Sequence, residues 1–269
     1  VATYLVSGIF RPSQAFFKSY GKHYRRWLLF FEALLVQDAS SRDLLAHYGI
    51  TQGVEVVGDT RFDRVEEGAR KTVALEKLEG FAAGAKLLVA GSIWPADAER
   101  LIPIFDTLPA GWKCVIVPHE IHESEIVAWL KRYEGQAVRY SMPYTPAEWT
   151  LARYLVVDTV GLLLSIYHYG QLAYVGGGFG VGIHNTLEPA AFGQPVLFGP
   201  NHTFFREALD LLELGGAQTL ATQDDFQTNF AQLFEDEELR KQMGRIARDY
   251  VVSNVGASER VCQRIGARL

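Results

Sequence analysis

The chain has 269 residues, 48% hydrophobic and 21% charged, the composition of an ordinary soluble globular protein with room for one large domain or two. Its net charge of −5 argues against a general nucleic-acid binder but leaves a local basic patch open. Cys114 and Cys262 fit no metal-ligand spacing and read as reduced thiols of a cytosolic setting; no apolar run reaches membrane-spanning length and no signal peptide is visible. The first residue is Val1 rather than Met, as expected of a processed product or a piece of something longer.

In chain order, ATYLVSGIF (2–10) and ALLVQD (33–38) are expected strands, each followed by a helical pattern, and VEVVGDTRFD (54–63) adds a short strand. Between the first two lies FFKSYGKHYRRWLLFF (16–31), where Lys18, Lys22, Arg25 and Arg26 are interleaved with Phe16, Tyr20, Tyr24, Trp27 and Phe30. The pattern is expected first of an amphipathic helix that buries its aromatics in the core. The alternative is a basic aromatic surface that lies on anionic lipid headgroups. Residues 64–80 are charged and helix-prone, so the chain divides into 1–65, a link at 66–85, and 86–269.

The second zone runs through KLLVAGS (86–92), CVIVPHE (114–120), YLVVDT (154–159), LAYVGGG (172–178) and PVLFGP (195–200), with amphipathic helix from about residue 223. These strands are apolar throughout rather than alternating, which suits a parallel sheet covered on both faces. The fold class is α/β. Ligands of such sheets sit beyond the carboxyl ends of the strands, where Ser92, His119, Asp158 and the glycine run fall.

The glycine run precedes an expected helix starting near Asn185. Glycines let a backbone approach a ligand, and helix N–H groups welcome a phosphate. An N-cap at Asn185 completed by Glu188 would explain those two residues, but neither the glycines nor His184. A dinucleotide loop at Gly178, Gly180 and Gly182 lacks the acid that should end the next strand. Glu188 could instead accept hydrogen bonds from both hydroxyls of a ribose, charge-assisted bonds of roughly 1.5–3 kcal/mol. Ser92 reads as a phosphate or carboxylate donor, or as the N-cap of a helix opening with Pro95. His119 could contact an anion, and Asp158 and Thr159 reach the same edge. No Ser-His-Asp order or metal cluster stands out, and neither metal dependence nor a cofactor is expected.

GGGFG (176–180) followed by GIHNTLEPAAFGQPVLFGPNH (182–202) resembles the hallmark of the 3-deoxy-D-manno-octulosonic acid (Kdo) transferases, a glycine-rich turn leading into His-Asn-x-x-Glu-Pro. VVGDTRFD (56–63), AGSIWPADAE (90–99), VPHEIHESE (117–125) and VVDTVG (156–161) stand in that family's order. The resemblance implies a GT-B glycosyltransferase: a Rossmann-like C-terminal domain with a parallel sheet, plus the later part of an N-terminal, acceptor-side Rossmann-like domain. It also implies inverting, metal-independent transfer of Kdo from CMP-Kdo to a lipid A precursor in lipopolysaccharide biosynthesis, at the cytoplasmic face of a Gram-negative inner membrane. Glu188 would then hold the ribose, while Gly177, Gly178, Gly182, His184 and Asn185 face the phosphate. Ser92 and His119 would lie near the phosphate or the Kdo carboxylate, and Asp158, Thr159 and Gly161 would help form the nucleotide pocket. Lys18, Lys22, Arg25, Arg26 and Trp27 form a candidate membrane or acceptor face.

The sequence departs from the family's pattern in three places. His119 stands where an arginine is common, and Leu162 where a glutamate often follows. The carboxylate that takes the acceptor proton is expected upstream of Val1, so the chain itself is expected to bind CMP but to transfer little Kdo. Other readings are a GT-B transferase or sugar-nucleotide epimerase that uses a uridine nucleotide, and a non-catalytic nucleotide-binding module.

Overall fold

The computed structural model describes residues 1–266 and divides into two compact units, Val1–Glu67 with the chain from Val252 onward, and Gly68–Val251. In the first unit, β1 (Tyr4–Gly8), α1 (Lys22–Leu28), β2 (Ala33–Val36), α2 (Ala39–His47) and β3 (Val54–Val56) lead into α3 (Thr60–Arg70). The three strands form a parallel sheet in the order β1-β2-β3. Alternate residues of β2 serve its two faces. Leu34 and Val36 pack with Phe10, Phe17, Leu28 and Leu45, and Ala33 and Leu35 pack with Val57 and Val261.

The second unit begins with α4 (Glu76–Ala82), β4 (Lys86–Ile93), α5 (Pro95–Asp106), β5 (Trp112–Pro118) and α6 (Glu123–Arg132). It continues through β6 (Ala137–Arg139), α7 (Pro146–Leu151), β7 (Tyr154–Val156), α8 (Leu163–Tyr167) and β8 (Leu172–Val175). After β8 come α9 (Leu187–Ala191), β9 (Val196–Phe198), α10 (Arg206–Leu214), β10 (Ala217–Thr219), α11 (Gln223–Glu235) and α12 (Glu237–Ser253). The seven strands pair in parallel in the order β10-β9-β8-β4-β5-β7-β6.

The unbroken apolar runs have a direct cause in this sheet, because both of its faces are covered. Leu88, Ala90, Cys114, Ile116, Tyr154 and Tyr174 meet α5, α6 and α11 through Leu101, Phe105, Trp129 and Phe226. Their neighbours Leu87, Val89, Val115, Leu155 and Ala173 meet α4, α7 and α8 through Leu78, Phe81, Trp149 and Ile166. The stretch read as a link is therefore largely helical, and its Leu78 and Phe81 are fully buried in the second unit's core.

The last helix, α13 (Ala257–Ile265), packs with the first unit, although the sequence carried the second domain to 269. Its Val261 closes the cluster beneath β2, its Arg260 donates to the Val57 carbonyl at 2.7 Å, and its Arg264 pairs with Glu55 at 2.5 Å. Among the described residues no helix is long and apolar enough to cross a membrane.

Candidate functional site

Chain order reverses at β4. From there the chain builds β5 on one side, and later returns to lay β8, β9 and β10 on the other. The crevice beyond the carboxyl ends of β4 and β8 is thus the topological switch point, where parallel sheets of this kind take ligands. Ser92, at the end of β4, has φ +52° beside a register shift against β5, so the strand bulges there. Ser92 does not cap α5. Trp94 is the N-cap residue, with Pro95 opening the helix.

A buried carboxylate that sequence reasoning missed organises this point. Asp97 Oδ2 accepts from the backbone N–H groups of Trp94 and Gly177, both at 2.9 Å, and Oδ1 accepts from the Tyr174 hydroxyl at 2.7 Å. One side chain in the first turn of α5 therefore fastens both the helix start and the glycine turn. A signal was present, since an acid three residues after a cap position is a capping pattern.

The glycines bring the backbone close to the protein itself. A Cβ on Gly176 would lie 2.2 Å from the Ser92 carbonyl oxygen, and one on Gly178 would lie 2.5 Å from Gly199 Cα. Gly177 has φ +95° and Gly182 φ +136°, so the turn closes in a conformation that other residues rarely adopt. The Gly177 N–H, a candidate phosphate donor, is directed to Asp97.

His184 emerges from this turn with its N–H on the Gly176 carbonyl at 3.0 Å. Its Nε2 accepts from the indole N–H of Trp94 at 2.8 Å, which leaves the ring proton of the neutral imidazole on Nδ1. His119 stacks on both rings, 4.4 Å from Trp94 and 4.1 Å from His184 between centroids. His184 is half-buried; its pKa lies below the usual histidine value through burial and then the neighbouring His119, with Asp97 opposing both. His119 is exposed, so the stack has a solvent-facing side.

The His-Asn-x-x-Glu segment follows directly. α9 begins at Leu187 after the N-cap residue Thr186, slightly later than expected, and has five residues. The Asn185 side-chain oxygen accepts from the Leu187 N–H at 3.1 Å, and its amide donates to Glu188 Oε1 at 3.0 Å. Glu188 is half-buried and held toward Asn185. Asp158, beyond β7, is tied down by its own partners: the Arg139 guanidinium, the Ser141 hydroxyl at 2.6 Å and the Ser141 N–H at 3.0 Å. Burial alone would raise its pKa, but the Ser141 hydroxyl, Arg139 and the Ser141 N–H together hold the carboxyl below the usual range. Arg139 in turn grips Glu123 at 2.7 and 2.8 Å. Thr159 and Gly161 stand exposed in the loop that follows, Gly161 at φ +85°.

A cavity of about 360 Å³ opens beside Trp94, walled by Ile93, Ala98, Ile102, Pro118 and Trp129. The remaining candidates, Lys18, Lys22, Arg25, Arg26 and Trp27, lie in the first unit. Lys18, Lys22, Arg26 and Trp27 are exposed, whereas Arg25 is half-buried and donates to the Phe16 carbonyl at 2.5 Å.

No family model matches the sequence. A Kdo transferase from Chlamydophila psittaci is 30% identical over 175 residues, 63% of this chain and 40% of the relative. Other curated proteins of the same name, from Chlamydia pneumoniae and Chlamydia muridarum, are 34% and 26% identical over 49% and 84% of this chain, covering 30% and 53% of their own lengths. The chain thus spans about half the length, or less, of these relatives. Among solved structures, the C-terminal CMP-Kdo binding domain of WaaA from Acinetobacter baumannii superposes with a TM-score of 0.56 at 18% identity, over 71% of this chain and 98% of that domain. A UDP-N-acetylglucosamine 2-epimerase superposes with a TM-score of 0.65 at 14% identity, over 99% of this chain and 66% of that one.

The parallel α/β sheets and these superpositions define a protein of the GT-B fold. Within that class, the sequence matches make the chain a homologue of the Kdo transferases, which are glycosyltransferases.

Proposed function

We propose that residues 68–251 bind CMP-Kdo, and that the protein serves in the transfer of Kdo to a lipid A precursor during lipopolysaccharide synthesis, at the cytoplasmic face of the inner membrane. The observation that carries this reading is the 26–34% sequence identity to proteins named Kdo transferase. The geometry of the switch point is compatible with it.

In this reading the acceptor hydroxyl attacks the anomeric carbon of Kdo from the face opposite CMP. The bond to the CMP phosphate oxygen breaks, the anomeric centre inverts, and the acceptor proton passes to a base. Negative charge grows on the departing phosphate, and donors already aimed at it lower the barrier. His184 Nδ1–H and the exposed His119 ring are the proposed donors, with Ser92 beside them and no metal required. Glu188, held by Asn185, would accept from the ribose hydroxyls. The loop at Asp158, Thr159 and Gly161, pinned by Arg139 and Ser141, would border the nucleotide.

Calorimetric titration with CMP tests the reading, with UDP as the competing nucleotide and Glu188→Ala as the site control. CMP should saturate the chain, UDP should bind more weakly, and Glu188→Ala should weaken CMP roughly 10–100-fold, the value of a charged hydrogen-bonding clamp. Preference for UDP would instead favour the uridine-nucleotide enzymes of similar fold.

A further inference from the structure

Three rings meet at the switch point in a defined arrangement. Trp94 and His184 lie 12° from parallel with centroids 6.3 Å apart, joined edge to edge by the 2.8 Å bond from the indole N–H to His184 Nε2. His119 covers both, tilted 26° from Trp94 and 20° from His184. Its backbone is tethered, since the His119 N–H donates to the Ile93 carbonyl at 2.9 Å. One imidazole is therefore locked into a plane with the indole, and the other lies over that plane, open to solvent.

A proton has different consequences on the two rings. His184 uses Nε2 to accept the indole proton, so charging it breaks that bond. Burial and then His119 already hold its pKa below the usual histidine value. His119 is exposed, so charging it sacrifices little hydration, and a cation 4.4 Å over an indole face is attracted by that ring. Two charged imidazoles 4.1 Å apart would repel. The pair therefore takes one proton, and His119 is the favoured site.

The charged groups around His119 have other partners or stand apart. On its own loop, Glu120 pairs with His122 at 2.9 Å. On α5, Asp97 holds three donors, and Arg100 lies over the Phe179 ring at 3.9 Å. On α6, Glu123 is gripped by Arg139, which also holds Asp158 beyond β7. Glu99 and Glu125 border the cavity beside Trp94. Both arginines are thus committed elsewhere, beside a site proposed to hold an anion.

We propose that His119 takes up a proton from solvent as the nucleotide phosphate binds, so that a charged ring meets the phosphate. The inference rests on the function proposed above for a phosphate at this site; the choice of His119 over His184 follows from the ring geometry. In the transfer, a donor phosphodiester with one negative charge becomes a monoester with two. A ring that gains its proton as that charge appears would stabilise the departing group.

The test is calorimetric titration with CMP at about pH 8 in two buffers of different ionisation enthalpy, whose difference in heat counts the protons exchanged. At that pH CMP is a dianion and an unperturbed imidazole is largely neutral. The parent chain should take up about one proton per CMP, and its affinity should fall with rising pH by up to about tenfold per unit. In His119→Gln the uptake should vanish, and CMP should bind more weakly at an affinity independent of pH. In His119→Arg the charge is permanent, so uptake should vanish while binding stays at least as tight as in the parent. His119 is exposed, so circular dichroism of both variants should match the parent. Binding by the parent without uptake overturns the proposal. So does uptake that persists in His119→Gln, which would place the proton on the phosphate or on His184, and so does His119→Arg binding no better than His119→Gln. The function proposed above fails separately. A chain that binds UDP rather than CMP, with the same uptake, keeps this inference and overturns the cytidine reading, whereas binding of neither nucleotide overturns both.

Discussion

Asp97 and His184 hold the switch point from two separate segments, AGSIWPADAE (90–99) and GIHNTLEP (182–189). Asp97 is fully buried and satisfies three donors; His184 accepts the Trp94 indole proton and carries His119 on its face. Protonating His184 would break the bond from Trp94, since a doubly protonated ring has no acceptor left. Burial and His119 already disfavour that charge, so the folded-state pKa lies below the ordinary 6.5. As pH falls, the unfolded chain takes up this proton first. The residue's contribution to stability is therefore complete above about pH 6.5 and lost as pH falls toward the folded value. His184→Gln keeps an oxygen acceptor for Trp94 but cannot titrate. Urea unfolding at neutral pH and about one unit below the ordinary histidine pKa should show the parent losing more stability than His184→Gln. Equal losses would mean that His184 is not the group being charged.

At the scale of elements, α13 shows how a helix can be held by a distant part of the chain. Its N-cap is Gly256 at φ +98°, which has no side chain to offer the first turn. Asp63 of α3 supplies the carboxylate instead, accepting from the Gly256 N–H at 2.6 Å and the Ser258 N–H at 3.1 Å. Asp63→Ala should cost about 1–2 kcal/mol, the usual value of a lost cap, read as a lower urea midpoint by far-UV circular dichroism. This contact was invisible in sequence because it joins residues nearly two hundred positions apart. The strands beside β4 were legible because burial on both faces leaves an unbroken apolar run. β6 and β10 were not, for Ala137–Arg139 and Ala217–Thr219 are three-residue edge strands without such a run. The glycine turn was read as unusual, rightly, but its purpose depends on what it touches. Gly176 and Gly178 pass against Ser92 and Gly199, partners that only the assembled sheet brings near. The same holds for the Trp94–His119–His184 stack, whose members come from the segments that follow three different strands.

Over the whole molecule, the tryptophans divide usefully between the two units. Trp94, Trp112, Trp129 and Trp149 belong to Gly68–Val251, and the last three are buried, whereas Trp27 lies exposed in the other unit. Tryptophan emission during urea unfolding therefore reports chiefly on the unit proposed to bind CMP. A ligand that binds only the folded state adds RT ln(1 + [L]/Kd), about 2.7 kcal/mol at a hundredfold excess over Kd. CMP at that level should move the emission midpoint to higher urea. In Glu188→Ala at the same CMP concentration, affinity weakened 10–100-fold leaves only about 0.4–1.4 kcal/mol of that gain. The comparison also guards against a trivial result: a substitution that merely damages the fold lowers the midpoint without CMP but preserves the increment. A lost increment at an unchanged starting midpoint assigns Glu188 to the ligand, and an equal increment with UDP would move the proposed donor from a cytidine to a uridine nucleotide.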